Sequence, residues 1–551
     1  MLRALLVTLA LAVPAASAEE YTLSAKSVEV YDYAELTVRV PAPKGQAFVT
    51  PFGGTFTPKT GGPSMPVQGF VDDEPNDIGL TYRLRVMPTV PGEYVLTAGF
   101  PERSERSTFT ATLTATPSTR KGVLRVDPEH PYHFQWAGTG EHFFLNGTTA
   151  YWLLGNSDDA DIRAAIDRFA THKITRIRVA LNGRTTGGER WFEPKVTDSD
   201  KFRFNLQPWP TPTHAGANPS ELDTARYNVP FWRKCERMLR YARDRDIAVS
   251  IIFHLDGADP GVDPFNGGKK TLPDGKPYLG SDAERAYYRY GAARLGAFAN
   301  VMWDVTNEWH LFRDPGWVKA MATVLRDADP YRHPISVHAN DKFVFRAEPW
   351  ADFCSYQVWD GGDRGAGLHM RRMRAEQAAT GRGKPQVNEE YGYEDHYPGK
   401  WGGGKVAPAR NADSRRRIAW EITMAGGYQT TGERADTGAG GWISGRGDAS
   451  MNLLKRHAHL TTFFTSFDWW KCDPAAGVAP PEVAVLAEKG KRYVMYAPKG
   501  GTFPLRLPAG EYTVRQFNPR TGEWGQPCRA AADAEVWFAD DDDWALVAER
   551  R

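Results

Sequence analysis

Cysteine is scarce in this chain: four residues in 551, at Cys235, Cys354, Cys472 and Cys528, none of them in Cys-x-x-Cys spacing. That excludes a thiolate metal cluster and a fold held by a dense disulfide frame, and leaves Cys472 with Cys528 as the one pairing worth testing. Long apolar runs are also missing. No segment approaches the ~20 consecutive apolar residues that cross a bilayer, so membrane insertion is not expected. Charge of one sign is missing too, since 68 basic residues face 67 acidic ones for a net charge of +1. A balanced chain lacks the electrostatic footprint of a nucleic-acid binder, and its ligands are expected to be neutral. There is no internal repeat and no long low-complexity segment; the Gly-rich run from Thr437 to Gly447 reads as a loop.

The N-terminus has Arg3, an apolar run from Ala4 to Val13, and then Ala16-Ser17-Ala18. A charged start, a short apolar stretch and small residues form a secretory signal, so residues 1–18 are expected to be removed and the mature protein to be secreted or periplasmic. With 551 residues the chain exceeds one hydrophobic core and divides into several domains. From 19 to 117, short alternating runs such as Ala34 to Val40, Thr81 to Val86 and Glu93 to Ala98 predict a β-sandwich, followed by a linker from Pro117 to about His130. From 125 to 470 apolar strands alternate with amphipathic helices, which predicts parallel βαβ units. Eight strand candidates can be counted: Phe143 to Trp152, Arg176 to Leu181, Ile247 to Leu255, Val301 to Glu308, Ile335 to His338, Phe353 to Trp359, Pro385 to Glu390 and Gly427 to Thr431. Helices are predicted between them, for example over Asp159 to Thr171 and Phe231 to Asp244. From 475 to 551 strand patterns return, as in Arg492 to Tyr496 and Glu511 to Phe517, and predict a second β-sandwich. The expected architecture is therefore a central (β/α)8 TIM barrel flanked by N-terminal and C-terminal β-sandwiches.

Two of the barrel segments end in carboxylates, Val301-Met-Trp-Asp-Val-Thr-Asn-Glu308 and Lys384-Pro-Gln-Val-Asn-Glu-Glu390. An acid buried at a strand end costs several kcal/mol unless it is paired or used. Glu308 and Glu390 stand 82 positions apart, close to three βα units at roughly 30 residues each, which is the relation of strand four to strand seven. Carboxylates facing each other across the C-terminal end of a barrel are what glycosidic-bond cleavage needs, one as acid and one as nucleophile. Aromatic content of 12%, with 18 Trp and 22 Tyr, suits stacking on the apolar faces of sugar rings, although β-rich domains need aromatics in any case.

Asn307-Glu308 and Glu390-Tyr391-Gly392 resemble the motifs of the clan of (β/α)8 retaining glycosidases, in which an Asn-Glu pair ends strand four and a Glu before an aromatic-Gly ends strand seven. Within that clan the chain most resembles the apiosidase-like group of bacterial exported proteins. Phe143 to Leu153 looks like that group's first strand, and Tyr493 to Gly522 like its C-terminal sandwich. The resemblance implies a retaining glycoside hydrolase without cofactor. It implies Glu308 as acid/base, Glu390 as nucleophile, Asn307 as the partner of the sugar 2-hydroxyl, and Arg178 as the strand-two Arg beside the nucleophile. His254 and Asp256 close strand three and are expected to contact substrate. On strand six many relatives carry a His and a Tyr; here Gln357 and Trp359 align, which leaves the hydrogen-bond donor to the nucleophile open.

Trp152, Trp359 and Trp442 are candidate sugar platforms, with ordinary rim packing as the alternative. The loop Asp256-Gly-Ala-Asp-Pro-Gly-Val-Asp263 has spaced oxygens that suit calcium, but such loops are commonly plain turns, and no metal is expected. Arg446-Gly447-Asp448 and Asn146-Gly147-Thr148 match short motifs at the level of chance. The competing functional readings are a non-catalytic carbohydrate-binding protein on a glycosidase scaffold, which an intact Glu308, Asn307 and Glu390 argue against, and a lyase or transglycosylase, which the neutral charge disfavours. Of the two adjacent acids on strand seven, alternation is expected to turn Glu390, with Asn388 a layer deeper, into the barrel and Glu389 toward the helices.

Overall fold

The computed structural model describes residues 20–40, 51–73, 79–101, 108–183, 202, 208–210, 222–255, 257, 262–359, 365–394, 410–434, 441–447 and 452–551. At its centre eight parallel strands pair in the order β5-β4-β3-β2-β1-β8-β7-β6. They are β1 (Asn146–Thr149), β2 (Arg176–Ala180), β3 (Ala248–Ile252), β4 (Val301–Asp304), β5 (Ile335–Ser336), β6 (Cys354–Gln357), β7 (Gln386–Glu390) and β8 (Tyr428–Thr431). The circle closes between β5 and β6 without a ladder. Ser336 Oγ donates to the Phe353 carbonyl at 2.8 Å, and Asp352 N and Gln357 N donate to the carbonyls of Ile335 and Asn340.

Each expected segment holds one strand, but every strand is shorter than its apolar run. The first shows why: His142–Phe143 belongs to a separate three-stranded antiparallel ribbon with Leu124–Val126 and Phe134–Trp136, and Leu153–Gly155 is a 3-10 turn. Part of the expected linker is therefore ordered ribbon. Phe134 packs on Phe353 and Tyr428, so the ribbon plugs the N-terminal end of the barrel and leaves the opposite end for a site.

The helices α1 (Asp159–Thr171), α2 (Val229–Arg243), α3 (Asp282–Leu295), α4 (Pro315–Ala328), α5 (Gly365–Ala378), α6 (Ala412–Met424), the short α7 (Gly441–Ser444) and α8 (Asn452–Phe464) surround the strands. The connection from β5 to β6 carries no helix. Local chemistry sets the helix starts: Asp158 accepts from Ala160 N, Ser281 from Glu284 N and Asn411 from Ser414 N, which satisfies amides that the first turn leaves without partners.

The N-terminal unit strings eight strands in one path, in which Met65–Val71 pairs with Gly53–Pro58 through its first half and with Leu80–Val86 through its second. Its own core includes Leu36, Phe56, Leu84 and Leu96. A buried ionic network fastens it to the barrel: Arg85 and Arg294 both reach Glu236 of α2, and Arg294 also reaches Asp72 at 2.6 Å. The C-terminal unit is built on a seven-stranded sheet. It shares core with the barrel through Tyr496 stacked on Trp420, and Asp543 binds Arg416 of α6.

All four cysteines are free; Cys472 is buried and Cys528 exposed, so the pairing singled out for testing does not form. Cys528 lies on a C-terminal strand that pairs with Glu511–Asn518, whereas Cys472 lies at the end of the barrel and is enclosed there. Among the described residues no helix is long and apolar enough to cross a membrane.

Candidate active site

β4 ends at Asp304, but the chain beyond it stays pinned between its neighbours. Val305 N donates to Ser336 O, Asn307 N to His254 O, and Thr306 Oγ1 also to His254 O at 2.9 Å. Glu308 then takes a left-handed conformation, φ 46° and ψ 47°, and opens the turn Trp309–Leu311. A non-glycine residue held there carries strain that its surroundings must offset, a common mark of functional positions. Asn307 Nδ2 donates to Glu308 Oε2 at 3.2 Å.

At the end of β7 the register with β6 skips one residue, Tyr356 opposing Asn388 and Gln357 opposing Glu390. The skip is a β-bulge, and it lets two adjacent acids face the barrel. Glu390 points into the mouth, while Glu389, completely buried, bonds Arg176 and lies 3.7 Å from Arg178 Nε. This corrects the expected orientation of Glu389 toward the helices. Asn388 engages the backbone of Val358 and Glu390 N at the bulge. Behind Glu390 the chain turns at Gly392, φ +93°, where a Cβ would lie 2.4 Å from Arg415 Nη1; only glycine fits that turn.

One hydrogen-bonded chain links both acids. Arg178 Nη2 donates to Asn307 Oδ1 at 3.0 Å and to Asp304 Oδ2 at 3.1 Å, and Nη1 lies 3.6 Å from Glu390 Oε1. Gln357 Nε2 donates to Glu390 Oε2 at 3.1 Å. Tyr151, just past β1, donates to Glu390 Oε1, and Tyr393 Oη donates to Tyr151 Oη at 3.2 Å. With Asn307 bonded to Glu308, Glu308, Asn307, Arg178, Tyr151, Gln357 and Glu390 form a continuous polar cluster at the C-terminal end of the strands.

Beneath the mouth the electrostatics separate the carboxyls. Burial pushes Glu389 up, but Arg176 and Arg178 outweigh it and hold the carboxyl below its ordinary range. Burial pushes Asp304 up to about 6, with Glu389 adding to the rise and Arg178 opposing it. His338, fully buried at the end of β5, is driven well below 6.5 by burial and then by Arg178; its backbone N binds Asp304 Oδ1 at 3.2 Å. It is held neutral.

Of the other expected site residues, the His254 side chain turns away from the cluster, whereas the tryptophans pack against its tyrosines. The His254 ring is completely buried among Phe265, Tyr287, Tyr288 and Trp317, 3.4 Å from Glu284 Oε1; its carbonyl, not its ring, supports the site. Strand alternation turns that side chain outward into the helix layer. Asp256 lies outside the described residues. Asp263 binds Arg313 at 2.6 Å and caps its own loop, so its carboxylate is already engaged. Trp152 and Trp442 are buried rather than standing at a rim: Trp442 stacks on Tyr393 at 4.4 Å, and both indoles pack edge-on to Tyr151. Trp359 is half-buried, edge-on to Tyr393, with Arg410 over its ring at 4.8 Å. Among the described residues no group of three His, Cys, Asp or Glu side chains is arranged to hold a metal ion.

Sequence reasoning missed Tyr151, Tyr393, Asp304 and Arg176. For Arg176 a signal existed, since Arg176-Ile-Arg178 places two arginines on one face of a strand. For Tyr151 there was none, because its acceptor is 239 residues away.

A family model described as "Apiosidase-like, catalytic domain" matches residues 133–432, more than half of the chain. Among solved structures, a Bacteroides vulgatus ATCC 8482 protein assigned as a glycoside hydrolase aligns over 96% of this chain and 100% of its own, with TM-score 0.76 and 19% identity. A glycoside hydrolase family 5 protein from the same organism aligns over 78% of this chain and 94% of its own, with TM-score 0.58 and 15% identity. At these identities the likeness is one of fold. No curated protein matches the sequence.

Proposed function

Because the chain belongs to the apiosidase-like family, we propose that it is an exported glycoside hydrolase that cleaves O-glycosidic bonds in poly- or oligosaccharides by retaining double displacement. The observation that carries the reading is the single polar cluster joining Glu308, Asn307, Arg178 and Glu390 at the C-terminal end of the barrel. In this mechanism Glu390 attacks the anomeric carbon, forming an ester bond as the glycosidic C–O bond breaks, and Glu308 gives its proton to the leaving oxygen. Water then attacks the same carbon, Glu308 takes its proton, and the Glu390 ester bond breaks. In this reading Arg178 supports Glu390 as an ionised nucleophile and Asn307 hydrogen-bonds the sugar 2-hydroxyl, which its position beside Glu308 and Arg178 supports. No cofactor is required.

The two strand-rich flanking units support a reading as β-sandwich modules, and the Arg3 to Ala18 segment supports export to a secreted or periplasmic location. The test is a panel of 4-nitrophenyl glycosides and plant oligosaccharides, followed by NMR of the first-formed product anomer. Carboxyls about 5 Å apart leave no room for an intervening water and give retention. Hydrolysis with retention, abolished in Glu308→Gln on unactivated oligosaccharides and in Glu390→Gln on all substrates, is the expected result; an inverted product refutes the mechanism.

A further inference from the structure

We propose that Tyr151 is the positioning residue that orients the Glu390 carboxylate and keeps it ionised, a role that the β6 tyrosine, bonded to Gln386, does not fill. The proposal rests on the reading of Glu390 as nucleophile. A phenol oxygen has one proton and two accepting sides. Arg178 Nη1, which can only donate, occupies one side of Tyr151 Oη at 3.1 Å, and Tyr393 Oη donates from 3.2 Å to the other. The Tyr151 proton therefore points at the two remaining neighbours, Glu390 Oε1 and, at 3.3 Å, Asn307 Oδ1. Asn307 Oδ1 already receives Arg178 Nη2, and the bond to Glu390 is the shorter, so the proton faces the carboxylate.

The hydroxyl stays protonated there, because burial and then the Glu390 charge push it well above 10. With Gln357 on Oε2, each Glu390 oxygen has a donor. The tyrosine of β6, Tyr356, is turned away and binds Gln386 at 2.7 Å.

The fold locks Tyr151 in place. Ala180 N donates to its carbonyl at 2.9 Å and its own N donates to Trp442 O, so its backbone is held between β2 and α7. The ring is fixed edge-on by Trp152 and Trp442, with the Arg178 guanidinium 5.4 Å from its centre. A donor to a carboxylate stabilises the charged form, so it lowers the proton affinity of Glu390 and assists its departure when the glycosyl ester is hydrolysed.

Tyr151→Phe removes the hydroxyl and keeps the ring. On the 4-nitrophenyl glycoside the wild type turns over best, kcat should fall about 100-fold, the range for loss of one preorganised donor. KM should fall with it, a glycosyl adduct on Glu390 should accumulate in quenched samples read by mass spectrometry, and the acidic limb of the pH profile should move to higher pH. Tyr393→Phe, which removes the donor behind Tyr151, should give a smaller shift of the same limb. Unchanged kcat and an unmoved limb in Tyr151→Phe overturn the proposal; if that variant does not fold, an unmoved limb in Tyr393→Phe does so. Azide rescue of Glu390→Gly tests the nucleophile separately. Failed rescue refutes the reading beneath the proposal, whereas rescue together with an unaffected Tyr151→Phe refutes the tyrosine alone.

Discussion

Replacing Glu389 with Ala tests how two adjacent acids divide their work. Glu389 and Arg176 are both fully buried and bonded, and Arg178 stands 3.7 Å away. Deleting one partner of a buried ion pair leaves an uncompensated charge and costs about 3–5 kcal/mol. At an unfolding entropy of roughly 2.1 cal/mol/K per residue, the 300 residues 133–432 melt with about 0.6 kcal/mol/K, so the loss should lower Tm by about 5–8 °C. The sign with pH is set by the depressed Glu389 carboxyl: its stabilisation is present above the unfolded carboxylate range and is lost as pH falls through its lower folded value. The gap in Tm between wild type and Glu389→Ala should therefore be full at pH 7 and shrink on acidification. Circular dichroism melts across pH read the gap, and hydrolysis of an activated aryl glycoside with and without azide reads the chemistry. Glu390→Ala should lose on the order of 10⁴–10⁶-fold in kcat, with azide restoring turnover as a glycosyl azide of inverted configuration, while Glu389→Ala keeps measurable activity that azide does not raise. An unchanged Tm in Glu389→Ala, or azide rescue confined to that variant, refutes the assignment.

Asp304, with its carboxyl raised to about 6, behaves oppositely: the folded state holds its proton more tightly, so the wild type loses stability as pH rises from the unfolded carboxylate range through 6. Asp304→Asn lacks this titration, so its Tm relative to wild type should rise between pH 4.5 and 7.5, and a constant difference refutes the raised value. The cysteines predict one fast thiol: Cys528 should react with a thiol reagent in the native protein and all four after denaturation, with Tm indifferent to dithiothreitol. A Tm that falls on reduction would show that Cys472 and Cys528 pair after all.

What the sequence determined by itself was whatever depends on local pattern. Alternating runs and amphipathic stretches of helical spacing specify strands and helices through their apolar faces. Asp159 to Thr171 marks a helix at both of its ends, and the eight apolar segments each hold a strand. Asn307-Glu308 and Glu390-Tyr391-Gly392 were legible as acids ending apolar strand segments about three βα units apart and by their resemblance to the motifs of the clan; at Gly392, φ +93°, the backbone demand is also written into residue type, whereas at Glu308, φ 46°, it is not. Only the tertiary structure decided what depends on pairing between distant strands. Alternation placed Glu389 outside, but which way it faces follows from a bulge, and a bulge is a property of two strands together. His254 was misplaced because a polar residue at a strand end looks the same in sequence whether its ring faces the mouth or the helices. Tyr151 was invisible because its meaning lies in three neighbours, Arg178, Tyr393 and Glu390, delivered by β2 and by the chain at the end of β7, neither of them adjacent in sequence to Tyr151.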